Sequence, residues 1–289
     1  LDAVLRARLD DIEASGLARV DRPTNAPGSD LSSSLIACSN LYLHAHGDAY
    51  GAGASRLVSG TRTAHHAAEH TIAAWLRCEA SLLFSNGYAA NVGAIPALAI
   101  AGDAVFSDAL NHASIVDGVR LSRAARHVYP HLDLTALDAA LAACVAPGAR
   151  WVITESVFSM DGDVAPLAEL VALCRRHGAY LYIDEAHALG VCGESGRGAA
   201  CAAGVADGVD VLVGTLGKAF AGFGAFAAGS STLRAYLANT ARTFIFSTAL
   251  PEEVVRRSLE ALSDVAGGGA QARLLERTQQ LGALLEAAG

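Results

Sequence analysis

From residue 81 onward the chain repeats one pattern: a short apolar run, a polar cluster, then a segment with helical spacing. The apolar runs are 81–84, 104–106, 127–129, 151–154, 180–183 and 211–213, and helical periods cover 89–101, 134–144 and 167–177. Runs of three or four residues bounded by turn signals suit strands buried on both faces. The pattern predicts an α/β fold, a mostly parallel sheet with helices on both faces and ligands bound at the C-terminal strand ends. Hydrophobic residues make up 52% of the 289 residues and charged ones 17%, a globular composition of a length that suits one large domain or a domain plus a small appendage.

The flanks differ. Leu5, Leu9, Ile12 and Leu17 have helical spacing, so residues 1 to about 20 read as an amphipathic helix. Residues 22–34, rich in Pro, Asn, Gly and Ser, read as loop, and 40–54 pass abruptly from an apolar patch to a glycine loop. A helix is expected over 59–77. Within it His66, Glu69 and His70 have the HxxEH spacing of a zinc-peptidase helix, but no third ligand follows, so no metal site is assigned. Strands are expected at 224–228 and 244–246, and helices at 252–262 and 270–288, separated by Gly267, Gly268 and Gly269. The expected division is 1–40 as N-terminal helix and arm, 41–250 as the large domain, and 251–289 as the helical start of a truncated C-terminal region.

A formal charge of −8 argues against a nucleic-acid surface. The six cysteines lack CxxC spacing and sit in apolar segments, as expected of reduced core thiols in a cytoplasmic protein, and no apolar run reaches membrane length.

The polar clusters carry complementary chemistry. Lys218 follows the run 211–213 among small neighbours, Gly217, Ala219, Gly222 and Gly224, which leave room for something flat beside its amine. Desolvation lowers a lysine pKa toward nucleophilic use. Asp184 ends the run Tyr180 to Ile183, placed to meet a cationic ring nitrogen, and His187 would reach a phenolic oxygen on the same ring. Ser85, Asn86, Gly87 and Tyr88 open a helix, a seat for phosphate through free N–H groups, and Thr215 can add a hydroxyl. His112 offers an aromatic face. A ring-nitrogen partner, a phosphate seat, a stacking ring and an amine together describe pyridoxal phosphate (PLP).

Eight stretches then resemble the α-oxoamine synthases, a family of fold type I PLP enzymes: GAGASRLVSG (51–60), SNGYAAN (85–91), SDALNHAS (107–114), ESVFSMDGD (155–163) with Ala165, Pro166 and Leu167, DEAHALG (184–190), GESGRG (193–198), GTLGKAF (214–220) and FIFSTALP (244–251). Their order and spacing make the match specific. The resemblance implies that Lys218 carries the cofactor covalently and acts as base, that Asp184 keeps the ring nitrogen protonated, and that His187 and Ser159 lie near the ring hydroxyl. It further implies that His112 stacks on the ring, that Gly87, Tyr88 and Thr215 bind phosphate, and that Thr248, perhaps with Ser247, does so from the neighbouring subunit of a homodimer. The wording of SNGYAAN and FIFSTALP points to the branch that condenses L-alanine with a pimeloyl thioester of coenzyme A or carrier protein on the way to biotin. The alternatives are glycine C-acetyltransferase or, because the family's small C-terminal domain is absent or truncated here, a PLP-binding dimer without turnover. Asp184-Glu185-Ala186-His187 also spells a helicase DEAH box, yet a GxxxxGK[ST] loop ahead of it is missing. GAGASR follows no clear strand, which argues against a nicotinamide fold.

Overall fold

The computed structural model describes residues 1–21, 23 and 51–288. Its elements are α1 (Asp2–Ala14), α2 (Thr63–Leu76), β1 (Ala80–Phe84), α3 (Gly87–Leu98), β2 (Ala104–Asp108), α4 (Ala113–Leu121), β3 (Ala125–Tyr129), α5 (Leu134–Ala142), β4 (Arg150–Glu155), α6 (Leu167–His177), β5 (Tyr180–Asp184), α7 (Ala199–Ala202), β6 (Val211–Thr215), β7 (Ala225–Gly229), α8 (Ser231–Thr240), α9 (Arg242–Ile245), α10 (Glu252–Ala266) and α11 (Gly269–Ala288). The loop expected at 22–34 and the segment 40–50 fall outside the described residues, apart from Pro23.

The strands form one sheet in the order β1-β7-β6-β5-β4-β2-β3. Strand β7 runs antiparallel to both β1 and β6, and every other pairing is parallel. One strand is therefore reversed, and the C-terminal ends of β1, β2, β4, β5 and β6 open on the same sheet edge. The expected α/β class and mostly parallel sheet are as observed.

Both sheet faces are covered, and strand periodicity sorts the side chains. Trp151, Ile153 and Tyr182 point into a core with α1, α3 and α8, where Leu5, Leu9, Ile95 and Leu237 pack. Val152, Leu181 and Ile183, one residue out of phase, meet Leu137, Leu170 and Val171 of α5 and α6. A third cluster joins Leu83 and Phe226 to Ile72 of α2 and Val255 and Leu262 of α10. Each large side chain buried this way contributes about 1.5–3 kcal/mol of transfer free energy.

Two local expectations are corrected. The helix expected from residue 59 begins at Thr63, because Arg56–Gly60 form a wider π-type turn closed by Gly60 N–H donating to Ser55 O at 2.9 Å. The hydroxyl of Thr61 then donates to Arg56 O at 2.7 Å. The strand expected at 244–246 is instead the end of helix α9 and its cap. Phe244 and Ile245 are consecutive and both buried, which a half-buried strand cannot achieve, and Thr243 Oγ1 donates to Ala89 O at 2.6 Å to fix the turn on α3. No helix among the described residues is long and apolar enough to cross a membrane. The five described cysteines are free thiols.

Candidate active site

The sheet edge at the C-terminal strand ends gathers the polar clusters. Helix α3 starts just past β1, where Asn86 Oδ1 accepts from Ala89 N–H at 2.9 Å. The N–H groups of Gly87 and Tyr88 precede the first internal hydrogen bond of the helix and point out with the positive end of its dipole. A Cβ placed on Gly87 would lie 3.9 Å from Thr215 Cβ, so the helix start and the end of β6 face each other. Thr215 Oγ1 donates to Gly224 O and accepts from Gly217 N–H, both at 3.2 Å. The free N–H groups of Gly87 and Tyr88, with Thr215 beside them, form a cradle that suits an anion.

Lys218 lies three residues beyond, in the turn after β6. Its Nζ is 2.7 Å from His187 Nε2. Burial pulls the Lys218 pKa below its ordinary value, opposed by the charges of Asp184 and Glu155, although much of the side chain is solvent-exposed. Burial, then the Lys218 charge, also lowers the pKa of His187, so a neutral imidazole accepts from the ammonium. Beside the pair a cavity of about 280 Å³ is lined by His187, Lys218, and Gln271 and Leu274 of α11.

Asp184 ends β5 and is buried, with Oδ1 accepting from Ala186 N–H at 2.9 Å and Oδ2 from Asn91 Nδ2 at 2.7 Å. Glu155 stands level with it at the tip of β4 and accepts from the backbone N–H of His112 at 2.6 Å through Oε1. Burial, followed by the neighbouring Asp184 charge, raises the Glu155 pKa to about 7. The His112 ring caps α4, its Nδ1 2.7 Å from Ser114 Oγ and 3.2 Å from Ser114 N.

The fold thus brings Gly87, His112, Asp184, His187, Thr215 and Lys218 to one edge. Tyr88 is turned to solvent and donates to Asp117 at 2.5 Å. Ser159 is exposed in the loop after β4, and Thr248 bridges to Ser55; no hydrogen bond among the described residues ties either to Lys218 or Asp184. Sequence reasoning missed Asn91 and Glu155 as individual residues. Their signals were an amide inside an Ala-rich apolar helix and a second acidic strand tip aligned with Asp184.

Glu185 resolves differently from its neighbour. Its carboxylate accepts from Ser156 Oγ and from the N–H groups of Ala199 and Ala200, capping α7 on the far side of the strand. The HxxEH helix is likewise structural: Glu69 accepts from Arg56 and Arg234, and Asp21, the third acidic or imidazole group near His66 and Glu69, is held by the same two guanidinia.

The family of class I and II aminotransferases matches residues 38–289. The chain belongs to that family, on its α-oxoamine synthase branch, and is a PLP-dependent enzyme. It is similar to the 8-amino-7-oxononanoate synthase of Citrifermentans bemidjiense, 48% identical over 272 residues that cover 88% of this chain and 70% of the relative. The Geobacter sulfurreducens enzyme of the same name is 53% identical over 233 residues, covering 80% of this chain and 60% of that one. Among solved structures, serine palmitoyltransferase of S. paucimobilis with PLP and myriocin bound matches with a TM-score of 0.80 at 29% identity, over 99% of this chain and 77% of that one. The 8-amino-7-oxononanoate synthase of Francisella tularensis matches with a TM-score of 0.69 at 27% identity, over 93% and 74%.

Proposed function

We propose that this protein condenses L-alanine with a pimeloyl thioester to give 8-amino-7-oxononanoate, a step of biotin synthesis. The observation that carries the reading is the Lys218–His187 contact of 2.7 Å set between the Gly87–Thr215 cradle and the two acidic strand tips. The names of the relatives supply the substrates. PLP, when bound, supplies an electron sink for the charge left on the α-carbon of the amino acid.

The residues divide that work. Gly87 and Tyr88 N–H groups with Thr215 hold the phosphate, and Thr248 reaches it from the second subunit of a homodimer. Asp184, whose two carboxylate oxygens accept from Asn91 Nδ2 and Ala186 N–H, faces the ring nitrogen. The His112 ring covers one face, and His187 with Ser159 meets the ring hydroxyl. Lys218 anchors the cofactor and, with its pKa lowered by burial, removes the α-proton. A carbon–carbon bond forms between the alanine α-carbon and the thioester carbonyl carbon, the C–S bond breaks, and coenzyme A or carrier protein leaves as thiol. The alanine carboxylate then departs as carbon dioxide, and a proton replaces it on the same carbon. In this reading residues 41–250 form the cofactor-binding domain, 1–40 an N-terminal arm and 251–289 the start of a further region, and the protein works in the cytoplasm.

Purified protein supplied with PLP is expected to show a visible absorption band that borohydride bleaches and that Lys218→Ala lacks. With pimeloyl-CoA, alanine should yield carbon dioxide and a product of the expected mass, whereas glycine and serine should not. Turnover of glycine in place of alanine would overturn the substrate assignment.

A further inference from the structure

Asn91 is 1% exposed, in the second turn of α3 among Ala90, Ala94 and Ile95. A primary amide in such surroundings costs stability unless both ends find partners. Both do: Oδ1 accepts from Tyr182 Oη at 2.7 Å, while Nδ2 donates to Asp184 Oδ2 at 2.7 Å and to Ser114 Oγ at 2.9 Å.

The hydrogens in this network are fixed by elimination. Burial, then the charge of Asp184, raises the Tyr182 pKa far above its ordinary value, so its hydroxyl stays protonated and donates. The amide oxygen must therefore face Tyr182, and the two amide hydrogens face Asp184 and Ser114. Ser114 Oγ, already an acceptor, has its own hydrogen to give, and the atom in reach is His112 Nδ1 at 2.7 Å. The Ser114 N–H points at the same nitrogen from 3.2 Å. His112 Nδ1 is then an acceptor, and Nε2 carries the ring proton. Close helix packing makes this reach possible, because a Cβ on Gly118 of α4 would come within 2.9 Å of Asn91 O.

We propose that Asn91 is a positioning residue that holds, from one amide, both the carboxylate facing the cofactor ring nitrogen and, through Ser114, the tautomer and tilt of the histidine covering the ring. The proposal rests on the PLP reading above, but its first test does not require the cofactor. In protein without PLP, the ring-nitrogen NMR signals of His112 are expected to show Nε2 protonated and Nδ1 bare. Ser114→Ala, which leaves only the longer 3.2 Å contact from the backbone N–H, should give a mixture of tautomers, and Ser114→Thr, which keeps the hydroxyl, should restore the wild-type signals.

In a second measurement, Asn91→Asp retains the acceptor toward Tyr182 but sets a carboxyl against Asp184. It is expected to weaken PLP binding at least tenfold, with the far-ultraviolet spectrum unchanged. His112 protonated on Nδ1 in the wild type, or unaltered by Ser114→Ala, would overturn the proposal, as would wild-type PLP affinity in Asn91→Asp. If Asn91→Asp fails to fold, the Ser114 pair still decides. Failure of every form to bind PLP would sink the functional reading while leaving the tautomer result intact.

Discussion

Two clusters of charged side chains are built into this molecule, and they are organised in opposite ways. In the first, Arg56 bonds Glu69 at 2.9 Å and Asp21 at 2.7 Å, and Arg234 bonds the same two carboxylates at 2.8 and 3.1 Å. Two cations meet two anions, and although burial works against the charge of Glu69, the guanidinia hold its pKa below the ordinary range. In the second, an amine faces an imidazole at 2.7 Å and two carboxyl groups stand level on adjacent strands. There Lys218 and His187 are pushed toward neutrality, and so is Glu155. The first arrangement is electrically complete and does structural work. The second gathers groups whose charges oppose burial rather than balance one another, which is the signature of a functional site.

Removing one member of the complete cluster should have the largest effect on stability. Arg56→Ala leaves Glu69 and Asp21 sharing one guanidinium, and a broken buried pair costs about 3–5 kcal/mol. The urea midpoint should fall accordingly. Asp184→Asn, by contrast, should abolish turnover while costing about 1–3 kcal/mol, less than the loss of Arg56, because the new amide leaves one of the two N–H donors to Asp184 without an acceptor. Equal losses of stability in the two variants would break the distinction between the clusters.

Acid should attack the complete cluster from its margin. His65 Nδ1 accepts from Arg62 N–H at 3.0 Å and Nε2 donates to Leu250 O at 2.8 Å, so the neutral ring is fully used. Burial first, then the Arg56 charge, lowers its pKa from 6.5 to about 4. The unfolded chain takes up this proton more readily than the native one. The contribution is therefore present above pH 6.5 and is lost as pH falls toward 4. Its ceiling is about 3 kcal/mol, from about 1.36 kcal/mol per pH unit. Urea unfolding at pH 7 and pH 5 should show this fall, and His65→Gln should flatten it.

The two clusters were not equally legible in the sequence. Lys218, Asp184 and Thr215 follow apolar runs whose strand character is plain, and a parallel sheet brings strand ends together whatever their separation along the chain. His112, His187 and Gly87 lie one short turn further, so the site edge was largely readable. Arg56, Asp21 and Arg234 carry no such positional signal: they lie in a π-type turn, an arm and a helix, and meet only through tertiary packing. That is also why His66, Glu69 and His70 resembled a metal motif, since the spacing of a helix face shows which residues share it but not the guanidinia that cover it. Residues 244–246 failed for a related reason, as a short apolar run does not declare its period.

The smallest expected effect is the sharpest test of the contrast. Glu155 has its pKa raised from 4.5 to about 7, by burial and then by Asp184, with the His112 N–H and Lys218 opposing. A carboxyl raised on folding stabilises the native state below its unfolded pKa, and that contribution disappears as pH rises through 7. At pH 8 the native protein therefore carries a buried charge that Glu155→Gln would remove, while the glutamine oxygen can still accept from His112 N–H. The variant should gain about 1–2 kcal/mol over wild type at pH 8, less than the full linkage value because Lys218 partly compensates the charge. The gain should shrink as pH falls to 6, and turnover should lose a pH limb near 7. If instead Glu155→Gln is destabilised equally at both pH values, Glu155 is as well partnered as Glu69, and charge balance is not what separates the two clusters.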